Sequence, residues 1–236
     1  MDRSDAMLVR NAQLPDARES QDVLVIGERI AAIGAGLPAP DGAMVVEAHG
    51  QLLSPPFVDP HFHMDATLSH GLPRVNASGT LLEGIALWGE LKPQLTQEAL
   101  VERALQYCDW AVAKGLLAIR THVDVCDDRL LAVEALLQVK TTVAPYLDLQ
   151  LVAFPQDGLL RAPSALANLK RALDLGVDVV GGIPHFERTY AQGTESVRIL
   201  CELAAERGLR VDMHCDESDD PLSRHIETLA FETNRL

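Results

Sequence analysis

The chain has 236 residues, 47% of them hydrophobic and 23% charged, which argues against extensive disorder and allows one large domain with a small appendage. Its 20 basic and 34 acidic residues give a net charge of −14, a balance that speaks against nucleic acid or an anionic membrane as the main partner. The four cysteines show no CxxC spacing, and no signal peptide or apolar span of about twenty residues is visible, so a reducing cytoplasm is expected.

Residues 7–54 alternate short apolar runs with turn residues: Met7 to Asn11, Asp22 to Gly27, Arg29 to Gly34 and Met44 to Glu47. They read as small antiparallel strands, forming a minor β-sandwich-like module over residues 1–55. From residue 56 to residue 236 apolar strand candidates alternate with amphipathic helices, the pattern of a parallel βαβ architecture. The candidates are Leu53 to Val58, Leu116 to Val123, Leu147 to Phe154, Val177 to Ile183 and Leu209 to Met213. Thr96 is placed to cap a helix whose stripe is Leu100, Ala104, Cys108 and Ala111, ended by Gly115. Ser164 to Leu175 reads as another, and Thr194 and Gly208 bracket a third with Val197, Leu200, Cys201 and Ala204 on one face. A last helix is expected around Pro221 to Arg235, and the longest loop is expected from Asp65 to Gln94.

The fold class expected is α/β: the first five βα units of a (β/α)8 TIM-type barrel, after the N-terminal β module. A closed barrel needs eight units and usually about 250 residues, so five units leave an open sheet edge unless more chain exists. The sequence is therefore expected to be incomplete.

The sharpest motif is Phe57-Val-Asp-Pro-His61-Phe-His63-Met-Asp65. Two residues apart on a strand, the imidazoles point the same way, into the mouth of a barrel, an arrangement that suits a divalent metal. At the end of the fifth strand candidate, Val211-Asp-Met-His214-Cys-Asp216-Glu217 adds an imidazole that can serve as a third ligand and a carboxylate suited to carrying protons. Asp219 and Asp220 suit the cap of the following helix. Arg120-Thr-His122-Val-Asp124 interrupts an apolar run with polar residues, either as support behind the site or as a contact with a neighbouring one. Gln156, after the third strand, offers one donor and one acceptor to a planar amidine edge. His185 reads as a structural hydrogen-bonding residue, and His49, His70 and His225 as ordinary histidines.

These segments, with SGTLLEGI at 78–85, LQLVAFPQ at 149–156, DVVGGIPHFE at 178–187 and HCDESDD at 214–220, resemble the amidohydrolase superfamily, and within it the bacterial cytosine deaminase branch, nearly end to end. The resemblance implies one divalent ion, Fe2+ or Zn2+, held by His61, His63 and His214. It implies Gln156 on the pyrimidine edge, a loop with Thr80 and Leu81 closing over the ring, and Glu217 shuttling protons. Cytosine and water would become uracil and ammonia, as in pyrimidine salvage. The small-molecule partner is a nucleobase or related cyclic amidine, and a homo-oligomer is expected of the full-length protein. The family also uses a histidine after the sixth strand and an aspartate after the eighth, and this chain reaches neither. Isocytosine, 5-methylcytosine, isoguanine, creatinine and triazine amines present similar edges. The binuclear ring-amide hydrolases, which carry a modified lysine at the fourth strand, fit less well, since His185 and Glu187 stand there. A non-catalytic fragment is the reading from another class.

Overall fold

The computed structural model describes residues 5–236. It divides into two compact units, Met1–Pro56 and Phe57–Leu236.

The first unit is one four-stranded sheet of β1 (Ala6–Ala12), β2 (Gln21–Ile26), β3 (Arg29–Gly34) and β4 (Met44–Glu47), in the order β3-β2-β1-β4. Gly27, at φ +59, opens the two-residue turn between β2 and β3, where a side chain would be strained. The first two pairings are antiparallel, but β4 runs parallel to β1, which corrects the all-antiparallel expectation. The physical reason is the 35–43 connection: β3 ends where β1 ends, and this segment returns the chain before β4 begins.

The second unit is a curled parallel sheet of five strands in sequential order: β5 (Phe57–Phe62), β6 (Leu116–Asp124), β7 (Asp148–Phe154), β8 (Val179–Gly182) and β9 (Arg210–Met213). Helices α2 (Gln97–Ala113), α3 (Leu131–Val143), α4 (Ala165–Asp174) and α5 (Tyr190–Arg207) follow β5 to β8, and α6 (His225–Arg235) follows β9. This is the half-barrel of the expected TIM-type fold. The inner strand β7 buries residues on both faces, as parallel strands between covering layers do, and Leu149, Leu151 and Ala153 share the core with Leu100, Cys108, Leu136, Leu169 and Leu200 of the helices. Burying each such leucine contributes about 1.5–3 kcal/mol.

Four boundaries differ from the sequence expectation. The first barrel strand begins at Phe57 and not at Leu53, because Pro55 and Pro56 have no N–H to give to a ladder. Pro60 is tolerated inside it because β5 is the outermost strand and its register against β6 shifts between Asp59 and Phe62. The Asp65–Gln94 stretch is no plain loop: it contains α1 (Leu81–Leu91), capped by the Thr80 hydroxyl, which accepts from Glu83 N. The helix expected from Thr194 begins instead behind Thr189, whose hydroxyl accepts from Gln192 N at 3.2 Å. The last helix starts at His225 rather than Pro221, and its cap is the Asp216 carboxylate, not Asp219 or Asp220. Asp216 accepts from His225 N at 2.8 Å and from Ile226 N at 2.9 Å.

Candidate active site

Because all five barrel strands run in one direction, their C-terminal ends share one rim. His61 is the penultimate residue of β5 and His63 lies just beyond it, His122 lies near the end of β6, and His214 follows β9. These four imidazoles each offer a nitrogen to a group within 4.8 Å of one another.

Their hydrogen bonds separate them. His122 is fully buried, with Nε2 3.1 Å from Asp212 Oδ1 and Nδ1 3.3 Å from the Phe62 carbonyl, so both its nitrogens already face acceptors. His63 and His214 face each other through their Nε2 atoms at 3.1 Å, and His214 Nδ1 is buried with no partner among the described residues. Two nitrogens at 2.0–2.1 Å from a tetrahedral ion lie about 3.3 Å apart, close to the observed spacing. Burial, reinforced by the neighbouring imidazoles, pushes His63 down to about 4 and His214 down to about 3. His61 is lowered for the same reason. Near neutral pH these rings are uncharged, so each carries one nitrogen lone pair that a cation could take up. The donor set of His61, His63 and His214 therefore fits a divalent cation.

Asp212 holds the arrangement from behind. Burial would raise its carboxyl, yet hydrogen bonds from His122 and Arg120 prevail and bring it to about 2. Arg120 donates to Asp212 at 2.8 Å and to Gln150 at 2.6 Å, tying β6 to β7 and β9 on the concave face.

His61, His63 and His214 border an open cavity of about 1030 Å3. Leu81, Ile85 and Trp88 of α1 form one wall, Phe154 at the end of β7 and Gln156 after it another, and His185, Phe186, Glu217 and Asp220 complete it. All six residues singled out in the sequence for metal, substrate or proton transfer thus border one cavity. His185 hydrogen-bonds the His214 carbonyl at 3.1 Å through Nδ1. Sequence reasoning left the place of His122 open and did not find Asp212, Trp88 or Lys92. Trp88 Nε1 donates to Asp124 at 2.7 Å, and Lys92 Nζ bridges Asp124 at 2.7 Å and Asp157 at 2.8 Å, fixing α1 to the barrel. The signal for α1 was present in Thr80-Leu-Leu-Glu83, a capping sequence before an apolar run. Among the described residues no helix is long and apolar enough to cross a membrane.

Comparison with known proteins gives consistent results. The model of the amidohydrolase family matches residues 44–235. N-isopropylammelide isopropyl amidohydrolase of Pseudomonas sp. (strain ADP) is 31% identical over 222 residues, which cover 91% of this chain and 54% of that protein. The crystal structure of 5-methylcytosine deaminase from Klebsiella pneumoniae liganded with phosphonocytosine superposes with a TM-score of 0.91 at 44% identity, over 97% of this chain and 56% of that one. N-isopropylammelide isopropylaminohydrolase from Burkholderia multivorans gives a TM-score of 0.83 at 29% identity, over 98% of this chain and 58% of that one. The chain thus spans somewhat more than half the length of these relatives.

Proposed function

The chain belongs to the amidohydrolase family, and from that premise we propose that its site serves hydrolytic deamination of a cyclic amidine, with cytosine or a 5-substituted cytosine as substrate. The observation that carries this reading is the gathering of three uncharged imidazoles, a primary amide and a free carboxylate on one cavity. The 44% identity to a 5-methylcytosine deaminase supports the choice of substrate.

His61, His63 and His214 would hold one divalent ion, and imidazole ligation suits zinc or iron. When bound, such an ion supplies Lewis acidity that brings the ionisation of water toward neutral pH. Around it the chain's own residues would supply binding and proton transfer. Gln156 offers an amide N–H and an amide oxygen to the edge of a ring that carries an acceptor and a donor side by side. Leu81, Trp88 and Phe154 give that ring apolar walls. Glu217, on the exposed rim after β9, carries the proton that leaves water to the ring nitrogen beside the amino-bearing carbon. The water oxygen bonds to that carbon, its second proton passes to the amino nitrogen and the C–N bond breaks, so cytosine and water give uracil and ammonia, a reaction suited to pyrimidine salvage.

A second reading has an observation of its own: the 31% identical relative is an N-isopropylammelide amidohydrolase, so an alkylamino triazine is an alternative substrate. The test is amine release by the chain loaded with Zn2+ or Fe2+, given cytosine, 5-methylcytosine, N-isopropylammelide and creatinine in parallel. Ammonia from the cytosines supports the first reading. Isopropylamine from the triazine with no reaction of the cytosines would replace it with the second.

A further inference from the structure

The loop that presents Gln156 is gripped from two sides. After β7, Gly158 N donates to the Pro155 carbonyl at 2.9 Å, closing a turn with Gln156 and Asp157 at its tip. On one side the Asp157 carboxylate pairs with Lys92 at 2.8 Å, and Asp157 N lies 3.4 Å from Cys126 Sγ. On the other side the N–H groups of Leu159, Leu160 and Arg161 converge on the Glu187 carboxylate at 2.6, 3.0 and 2.9 Å. Glu187 ends the short helical turn Pro184–Phe186 after β8, so its backbone is set by a neighbouring strand and not by the loop it holds. Arg161 adds a second tie, stacking its guanidinium 4.6 Å from the centre of the Phe186 ring.

Gly158 shows how closely the parts fit. Its φ is +89, and an added Cβ would lie 3.0 Å from Arg161 Cβ and 3.1 Å from Glu187 Oε2. A carboxylate that accepts three successive main-chain N–H groups fixes the path of a loop more firmly than one bond would, because each bond restricts a different peptide plane.

We infer that Glu187 is a positioning residue for Gln156: it holds the loop after β7 in the one path that turns the Gln156 amide toward the substrate edge. This rests on the reading of Gln156 as the residue that meets the substrate, and the two can fail separately. Glu187 touches no reacting group. Its whole effect on ligand binding passes through Gln156, whereas a merely structural residue would weaken binding by the same factor whether or not Gln156 is present.

The experiment is a double-mutant cycle on the zinc-loaded chain, in a Glu217→Gln background so that ligand is not consumed, with the Kd of 5-fluorocytosine read by calorimetry. Gln156→Ala is expected to weaken binding roughly tenfold, the loss of a hydrogen-bonding pair. Glu187→Gln, which keeps the shape but turns an NH2 group toward main-chain N–H donors, is expected to weaken it several-fold alone and to add nothing in the Gln156→Ala chain. If Glu187→Gln fails to fold, Glu187→Asp, which withdraws the carboxylate by one methylene, replaces it in the same cycle. Equal factors in both backgrounds, or an unchanged Kd when only Glu187 is altered, would overturn the inference. An unchanged Kd in Gln156→Ala itself would overturn the reading of Gln156 on which it stands.

Discussion

Lys92→Met tests the tie between α1 and the barrel. The Asp124 side chain is 2% exposed and accepts three hydrogen bonds, from Lys92 Nζ, Trp88 Nε1 and Cys126 N, each at 2.7 Å. Removing one member of a buried ion pair costs about 3–5 kcal/mol, because the remaining charge is left without its counterpart. Here two neutral donors remain on Asp124, so the lower end applies. The bridge to Asp157, whose side chain is 42% exposed, adds about 0–1 kcal/mol. The expected loss is about 3 kcal/mol, or roughly 6–12 °C in Tm for a unit of this size. Both tryptophans, Trp88 and Trp110, lie in the unit Phe57–Leu236, so their fluorescence in a denaturant titration reports that unit alone. The pH dependence has a definite sign. Burial disfavours the Lys92 charge, but Asp124 and Asp157 prevail and hold its pKa above the ordinary lysine value. Its stabilisation is therefore complete below the unfolded pKa of about 10.4 and is lost as pH rises through the higher folded value. The deficit of Lys92→Met should be flat from about pH 6 to about pH 9 and shrink only above about pH 10. A deficit under about 1 kcal/mol, the size of a solvent-screened surface pair, would refute the reasoning.

His63→Ala should abolish stoichiometric zinc, measured by elemental analysis after gel filtration, since it leaves two of the three available imidazoles; a full complement of metal would sink the ligand assignment. Glu217→Gln should keep the metal while lowering any ammonia release by about 10² or more, because it removes the proton carrier and no ligand; unchanged turnover would reassign the carrier. Burial pushes the thiols of Cys108 and Cys201 up to about 11 and that of Cys126 higher still, so all three stay protonated near pH 8. They should react with a disulfide reagent at pH 8 at least about tenfold more slowly in the native chain than in denaturant, and rapid native labelling of Cys126 would show that its surroundings open.

The barrel strands were legible because buried parallel strands are continuous apolar runs, and the helical stripe of α2 was legible because Leu100, Ala104, Cys108 and Ala111 recur at helical spacing and are all buried. What failed was local and has local causes. A run that looks apolar through Leu53–Val58 contains two prolines that cannot join a ladder, so the strand moved toward the histidines and took Pro60 with it. The long loop hid α1 because its capping sequence is followed by Gly84 and Gly89, which weaken a helical reading by about 1 kcal/mol each relative to alanine. The capping role fell to Asp216 because that residue has φ +61, a turn that aims its carboxylate back at the first N–H groups of α6, and such a turn leaves no trace in composition.

The candidate site was half legible for a related reason. Alternation along a strand tells which residues share a face but not which strand ends meet. Arg120, His122 and Asp124 alternate on β6, as Asp212 and His214 do at the end of β9, and each group looks like an isolated polar interruption in its own segment. The parallel order β5-β6-β7-β8-β9 brings those interruptions to one rim, where Asp212 reaches across to both Arg120 and His122. The histidines proposed as ligands could be named from the two-residue spacing of His61 and His63 together with the family resemblance. The residues that orient them could not, because their partners are each other, and only the sheet register brings them together. It follows that register matters more here than any one side chain. A slip of β6 by one residue would turn Ile119, Thr121 and Val123 toward the rim in place of Arg120, His122 and Asp124. That one change would leave Asp212 without its two donors, free the Phe62 carbonyl between His61 and His63, and release Trp88 and Lys92 from Asp124.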